Sequence, residues 1–388
     1  MISRLKNSTA KFLLFLISIY LPCFIYSNFE YYFRKESSSS LKEVIDEINQ
    51  KIFLVKSNYL PVVSPFNFFP NIKDKNIYPI GSIPNKNSYF CNEGYGLISY
   101  KTDRFGLRNP NKKWDQILKN DNIFLVGDSF VHGACVPEYA TLSSIIEKGT
   151  GLNTLNLGSF GNDPYEYMAI LNSIVKPILN ASYKDNKVII FFYSNDNINL
   201  NKRKKYYINS IKSIIRIEND KYIYPIKKYD LSIKKIYENN FSISKDNLIS
   251  SIRLNTLKKS YYYYVFSLFP IRNKIRYFFY KRNYLTNLDY LNPTEESIVS
   301  LSKICKKSCQ PIIVYIPSKK GLNTTKINNK YKNQILSLAK KENITFIDGE
   351  KVVDLNLKID IAPKGQHLSI TGYEKLSKYI IKSVKNIK

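Results

Sequence analysis

From Asn122 onward the chain alternates short apolar runs with amphipathic stretches in an order that few folds accommodate. Asn122 to Val126, Thr154 to Leu157 and Val188 to Tyr193 read as strands, and helical patterns around Thr141 to Lys148 and Tyr165 to Ile178 lie between them. A βαβαβ order of this kind requires a parallel sheet with right-handed crossovers. The alternation resumes with a helix over Thr294 to Lys307, a strand over Pro311 to Ile316, a helix over Lys330 to Lys341 and a strand over Ile344 to Ile347. A closing helix is expected near Thr371, because Thr371 and Glu374 have the spacing of a capping box. Five strands with helices on both faces predict an α/β fold, a flavodoxin-like three-layer sandwich with a parallel five-stranded sheet.

Around this core the sequence divides into an apolar segment (1–30), a stalk and wrapping segment (31–115), the first half of the α/β domain (116–200), a basic aromatic insertion (201–290) and the second half (291–388). The hydrophobic fraction of 44% and charged fraction of 23% fit a globular protein with a full core. The formal charge of +28 raises the question of nucleic acid. The excess is spread along a chain rich in Lys, Ile, Asn and Tyr and comes with no reading motif, so nucleic acid is not expected as a partner.

The stretch Phe12 to Ser27 is almost wholly apolar and follows Arg4, Lys6 and Lys11. It reads as an export signal or a membrane anchor. The residues after it, Tyr26 to Glu30, lack the small side chains of a cleavage site, while the run is a little short of the roughly 20 residues that span a bilayer. An uncleaved signal anchor is favoured, with the N-terminus cytoplasmic and residues beyond about 30 exported to the periplasmic or extracellular side. A helical spacing of Leu41, Val44, Ile45, Ile48, Ile52 and Leu54 then suggests a stalk. Export would place Cys91, Cys135, Cys305 and Cys309 where disulfides persist. Cys305 and Cys309 are one helical turn apart, and a Cys91–Cys135 bridge would pin the wrapping segment beside the turn after the first strand; free buried thiols are the alternative. No metal site is expected, since there is no Cys-X-X-Cys and neither His132 nor His367 has a ligand-spaced partner.

In the insertion, Lys202-Arg203-Lys204-Lys205, Tyr261 to Tyr264 and Arg276 to Arg282 interleave cations with aromatic rings. Such a surface suits a headgroup layer or an anionic polysaccharide; a lysine-rich solvated cap with inward-packed rings is the plainer reading. The chemistry-bearing residues fall elsewhere, at the carboxyl ends of the predicted strands, where ligands bind in open parallel sheets. Ser129 follows the first strand in Gly127-Asp128-Ser129-Phe130. Gly158 to Asp163 follow the second, Asn195-Asp196 the third, and His367 precedes the last helix. A nucleophile, a base and an oxyanion site could converge there.

Taken together and in this order, these four blocks resemble the SGNH hydrolase superfamily, also called GDSL-like esterases, over about residues 120 to 200 and 290 to 385. The resemblance implies that Ser129 is the nucleophile and His367 its base. It also implies that the amides of Ser129 and Gly161 and the side chain of Asn195 face the developing oxyanion, with no cofactor. The expected activity is hydrolysis of acyl esters, O-acetyl groups on an envelope or secreted polysaccharide above all. An O-acyltransferase would use the same residues, and a non-catalytic glycan-binding scaffold would keep only the fold. One departure stands out. Where many members carry an Asp three residues before the His, this chain has Lys364. The third triad member is then missing, supplied by Asp360, or replaced by a backbone carbonyl. Asp128 is read as bracing its turn, Asp196 as a cap and His132 as structural. The Tyr100 to Asn109 segment resembles a stretch that precedes the Gly-Asp-Ser block in exported bacterial members, with no role assigned to Asp103 or Arg108.

Overall fold

The computed structural model describes residues 15, 17–27, 41–65, 79–194, 196, 213–219, 222–241, 245–257, 268, 271–272, 292–306, 308–317 and 325–386. The chain divides into two compact units, Met1–Ser57 with Ile243–Leu288, and Asn58–Ser242 with Asp289–Lys388. The wrapping segment parts at Ser57, and the insertion parts near Ser242.

In the first unit, residues 17–27 are helical and present Ile17, Ile19, Leu21 and Ile25 as exposed side chains. Among the described residues no helix is long and apolar enough to cross a membrane. Helix α1 (Leu41–Lys56) buries Val44, Ile48 and Val55, at the spacing that puts them on one face. It packs there against a second helix, Lys245–Leu257.

The second unit begins with three short strands, β1 (Leu60–Pro61), β2 (Asn87–Tyr89) and β3 (Ser99–Lys101), joined as one small sheet. The core follows: β4 (Asn122–Val126), β5 (Asn153–Asn156), β6 (Lys187–Tyr193), a β7–β8 hairpin (Ile215–Glu218 and Tyr222–Pro225), β9 (Gln310–Ile316) and β10 (Thr345–Asp348). The main sheet is five-stranded and wholly parallel, in the order β5-β4-β6-β9-β10. This is the flavodoxin-like order, and it places the topological switch between β4 and β6.

Period-two patterning explains how one apolar run serves two layers. Phe124 and Val126 of β4, Val188, Ile190 and Phe192 of β6, and Ile313 and Tyr315 of β9 enter one core. Ile123 and Leu125, Ile189 and Phe191, and Ile312, Val314 and Ile316 enter the other. The first core is covered by Tyr167, Ile170, Ile174 and Ile178 of the long crossover, with Ile298, Leu301 and Ile335 from two later helices. The second is covered by Leu142 and Ile146, and by Tyr373, Leu376, Ile380 and Val384 of the last helix, Ile370–Asn386. The crossover starts at Pro164 under an Asp163–Glu166 capping box and passes through a π turn at Leu171–Val175.

The last helix is not capped at Thr371. It begins at Ile370, and Ser369 Oγ accepts the Gly372 N–H at 2.9 Å. Ser369 sits just outside the helix, where its short hydroxyl reaches back into the first turn, whereas Thr371 is already inside it.

The Tyr100 to Asn109 stretch ties the wrapping segment to the core. Buried Asp103 accepts four hydrogen bonds, from the Phe105 and Leu107 amides (each 2.8 Å), Trp114 Nε1 (2.8 Å) and Asn109 Nδ2 (3.0 Å). Asn109 in turn bonds both backbone groups of Asn156, at the end of β5. Asp103→Ala would leave buried donors without acceptors, each costing about 1–3 kcal/mol. We expect it to lower the unfolding free energy in urea by more than about 3 kcal/mol, with Trp114 fluorescence as the probe.

Candidate active site

The turn after β4 presents Ser129. Gly127 admits no side chain there, because a Cβ would overlap Val131. Asp128 then caps the short helix Ser129–His132, its Oδ1 accepting the Phe130 N–H at 2.9 Å. Burial pushes the Asp128 carboxyl up to about 6. Ser129 stands at the first helical position, half-buried.

His367 reaches this turn from the loop before the last helix. Its Nε2 lies 2.9 Å from Ser129 Oγ, and its Nδ1 lies 2.8 Å from Glu93 Oε1. Glu93 also accepts the His367 backbone N–H on Oε2 at 3.2 Å. Burial alone would raise the Glu93 carboxyl; the hydrogen bond and charge of His367, with the amides of His367 and Gln366, outweigh it and hold the group below its ordinary value. An ionised carboxylate only accepts, so Nδ1 carries the ring proton and Nε2 turns its lone pair to the Ser129 hydroxyl. The Phe130 ring packs edge-on to the imidazole at 5.1 Å.

Glu93 was not among the residues singled out in the sequence, and the carboxylate hydrogen-bonded to His367 is Glu93, not Asp360. Asp360 is buried and committed elsewhere, to Lys375 Nζ at 2.7 Å and to the Asp354 N–H at 3.0 Å. It braces the loop into the last helix, with its carbonyl accepting the Ser369 N–H at 2.9 Å. The carboxylate for His367 comes instead from the wrapping segment, 274 residues away. Gly365 makes room for it, since a Cβ at that position would overlap the Glu93 carboxyl. Gly94, at φ +108, lets the chain turn against Pro363, and Lys364 contributes its backbone N–H to Glu93 O at 3.0 Å.

The loop after β5 is fastened to the same turn. Ser159 N–H and Asn162 Nδ2 both donate to Gly127 O, at 3.3 and 3.4 Å. Gly161 sits between them at φ +81, beside the Ser64 hydroxyl. Asn195, the other expected oxyanion donor, lies outside the described residues, as do Lys202 to Lys205, Tyr261 to Tyr264 and Arg276 to Arg282. Asp196, beyond β6, is buried and accepts Tyr193 N–H (2.9 Å) and Tyr167 O–H (3.1 Å). Burial, with Asp128 nearby, raises its carboxyl well above the usual range.

His132 belongs to a separate buried set. Its Nε2 meets Tyr100 OH at 2.6 Å, and the Phe90 ring packs on it at 5.1 Å. Burial, with the charges of Arg108 and His367, pulls it down to about 3. Arg108 stacks on Tyr100 and donates to Gly133 O (2.7 Å) and Val136 O (3.1 Å), so it fixes the turn after the Ser129 helix. Cys91 is bonded to Cys135 and Cys305 to Cys309. Among the described residues Glu93, Cys135 and His367 form the one cluster with metal-ligand proximity. Cys135 Sγ is already spent in the bridge, so the cluster lacks a thiolate ligand.

Two outcomes follow from this geometry. Glu93→Gln should misorient the imidazole and slow covalent capture of Ser129 by a fluorophosphonate by about 10²–10⁴. Asp360→Asn should keep the native rate per folded molecule, and equal loss in both would refute the assignment. For His132, the folded value lies below the unfolded 6.5, so below that pH the unfolded chain binds the extra proton. Stability should therefore fall with acidification from pH 6.5 towards 3 because of this residue. His132→Phe should flatten that slope in denaturant titrations across the range.

No protein-family model matches the sequence, and no curated protein matches it. Among solved structures, the chain is similar to a carbohydrate acetylesterase from Sinorhizobium meliloti, at 8% identity and a TM-score of 0.38, over 69% of this chain and 100% of that one. It is similar to a member of the lipolytic protein G-D-S-L family from Veillonella parvula, at 12% identity and a TM-score of 0.35, over 69% and 99%. A third is an aryl esterase from M. smegmatis, at 11% identity and a TM-score of 0.34, over 69% and 100%.

Proposed function

We propose that the chain is a serine hydrolase that cleaves acyl esters through Ser129, His367 and Glu93, acting on O-acetyl groups of an envelope or secreted polysaccharide. The observation that carries this reading is the unbroken relay from Ser129 Oγ to His367 Nε2 (2.9 Å) and from Nδ1 to Glu93 (2.8 Å). It stands at the carboxyl end of β4, beside the switch point of a parallel sheet. In the reaction, His367 Nε2 takes the hydroxyl proton as Ser129 Oγ attacks the ester carbonyl. Glu93 stabilises the imidazolium, which then returns the proton to the leaving sugar hydroxyl. The amides of Ser129 and Gly161 are the donors offered to the tetrahedral oxyanion, and losing one donor of this kind costs about 10²–10³ in rate. Water, activated by His367, releases the acid and restores the serine.

The glycan assignment rests on the character of the chain around the site. An apolar N-terminal segment with exposed Ile17, Ile19, Leu21 and Ile25 suits a membrane anchor. Two cystines suit an oxidising compartment. A large acylated polymer outside the membrane is the substrate that an anchored and exported enzyme would meet.

The test is intact-mass detection of fluorophosphonate labelling, followed by acetate release from O-acetylated glycan. Labelling of the native protein, abolished in Ser129→Ala and reduced at least 10³-fold in His367→Ala, is expected. A folded native protein that takes no label would overturn the hydrolase reading. Acetate appearing on an added glycan and not in solution would instead identify transfer to a sugar hydroxyl.

A further inference from the structure

The carboxylate for His367 sits on a turn with little regular structure to hold it. The turn closes at its base through Phe90 N–H to Ile98 O (2.8 Å) and Ile98 N–H to Cys91 O (3.2 Å). Its tip carries Glu93, and Gly94 and Gly96 are exposed. The contacts of the tip run to the loop that bears the base: Lys364 N–H to Glu93 O (3.0 Å), His367 N–H to Glu93 Oε2 (3.2 Å), Pro363 against Gly94, and Ile370 N–H to Tyr95 OH (3.3 Å). Two loops thus hold each other.

The His367 loop is tied to the Ser129 helix by Leu368 in the shared core and by Tyr373 OH, which donates to Phe130 O at 2.9 Å; what ties the Glu93 turn to it is different in kind. Among the described residues no hydrogen bond joins 91–96 to 129–136. The connection is the Cys91–Cys135 cystine, with the Phe90 ring packed on His132 beside it. Cys135 is well fixed: it is 1% exposed. Arg108 holds the carbonyls of Gly133 and Val136 on either side, and Ala134 N–H returns to Ser129 O at 2.9 Å. Cys91 is two residues before Glu93 and only half-buried.

We propose that Cys91 and Cys135, as one cystine, are the positioning residues for Glu93, and that the triad is complete only while this bridge is closed. This inference rests on the serine-hydrolase reading of the same site. The chemistry that would open it is exchange with a dithiol. One thiolate attacks the sulfur of Cys91, the less buried of the two, and Cys135 leaves as a thiolate and takes a proton. The second thiolate of the reagent then resolves the mixed disulfide. The products are two protein thiols and the oxidised cyclic reagent, with two electrons and two protons transferred. Glu93 would lose its fixed place against His367 Nδ1, while the His367 loop stays anchored to the core through Leu368 and Tyr373. The imidazole then lacks the partner that fixes its tautomer and its orientation toward the serine hydroxyl.

The test measures fluorophosphonate labelling rates of the full chain with and without a dithiol, counting freed thiols by alkylation and intact mass, with circular dichroism to show that the protein stays folded. In the native protein and in Cys305→Ser/Cys309→Ser, opening the bridge should slow labelling at least tenfold, and reoxidation should restore it. Cys91→Ser/Cys135→Ser should be slow from the start and indifferent to dithiol. In Glu93→Gln the dithiol should add nothing, because the group that the bridge positions is already disabled; a merely structural bridge would slow that variant as much again. A folded, reduced native protein that labels within twofold of the oxidised one overturns the proposal. If the oxidised native protein takes no label, the hydrolase reading fails. The positioning claim is then read by proton NMR from the downfield His367 Nδ1–H resonance. That signal should disappear on reduction, and its persistence overturns the claim.

Discussion

The contact between Glu93 and His367 governs how the rest of the site is built. A charged hydrogen bond of this kind contributes about 1.5–3 kcal/mol, and its larger effect is on geometry. It fixes which ring nitrogen holds the proton and where the other points. The accommodations around it are specific. Gly365 has no side chain where the carboxyl lies, Gly94 turns at a backbone angle that side chains resist, and Tyr95 receives the first amide of the last helix. Ser369 caps that helix and sets where the preceding loop leaves it. Each of these residues serves a 2.8 Å distance to which none of them contributes an atom.

The site divides into a stiff part and a supported part. Ser129 stands on a turn at the end of β4, a strand buried on both faces, and the β5 loop is fastened to its carbonyl at Gly127. The base and its carboxylate ride on loops that brace one another. An arrangement like this concentrates rigidity at the nucleophile, and leaves the other two groups dependent on local clasps, of which the cystine is one.

The rigid part was legible in the sequence because it is periodic. Five strands, their order of appearance and the placement of Ser129, Gly161 and His367 at strand ends all follow from alternating apolar runs and the turn chemistry between them. The cap at Ser369 was misread by two residues, because Thr371 and Glu374 match a spacing that the backbone does not use there. Glu93 was invisible for a physical reason: it lies in an aperiodic stretch, and a single carboxylate in a loop carries no pattern. Asp360 was one of three candidates for that place because it is near His367 in sequence. Chain proximity is a weak guide in a loop whose carboxylate can be claimed by a lysine one turn into the next helix. Two signals did point elsewhere. Lys364 stands where an acid was expected, and a Cys91–Cys135 bridge, if formed, would bring whatever lies beside Cys91 next to the nucleophile's turn.

The distance along the chain between nucleophile and base also sets an order of events during synthesis. A chain made from its N-terminus presents Glu93 and then Ser129, and 238 further residues must be added before His367 exists. A serine without a base is a poor nucleophile. On the serine-hydrolase reading the growing polypeptide is therefore chemically silent until His367 is added, and Cys91 and Cys135, 44 residues apart, are both made well before it. The helix that follows His367 in the chain, Ile370–Asn386, is also the one that holds it beside the serine.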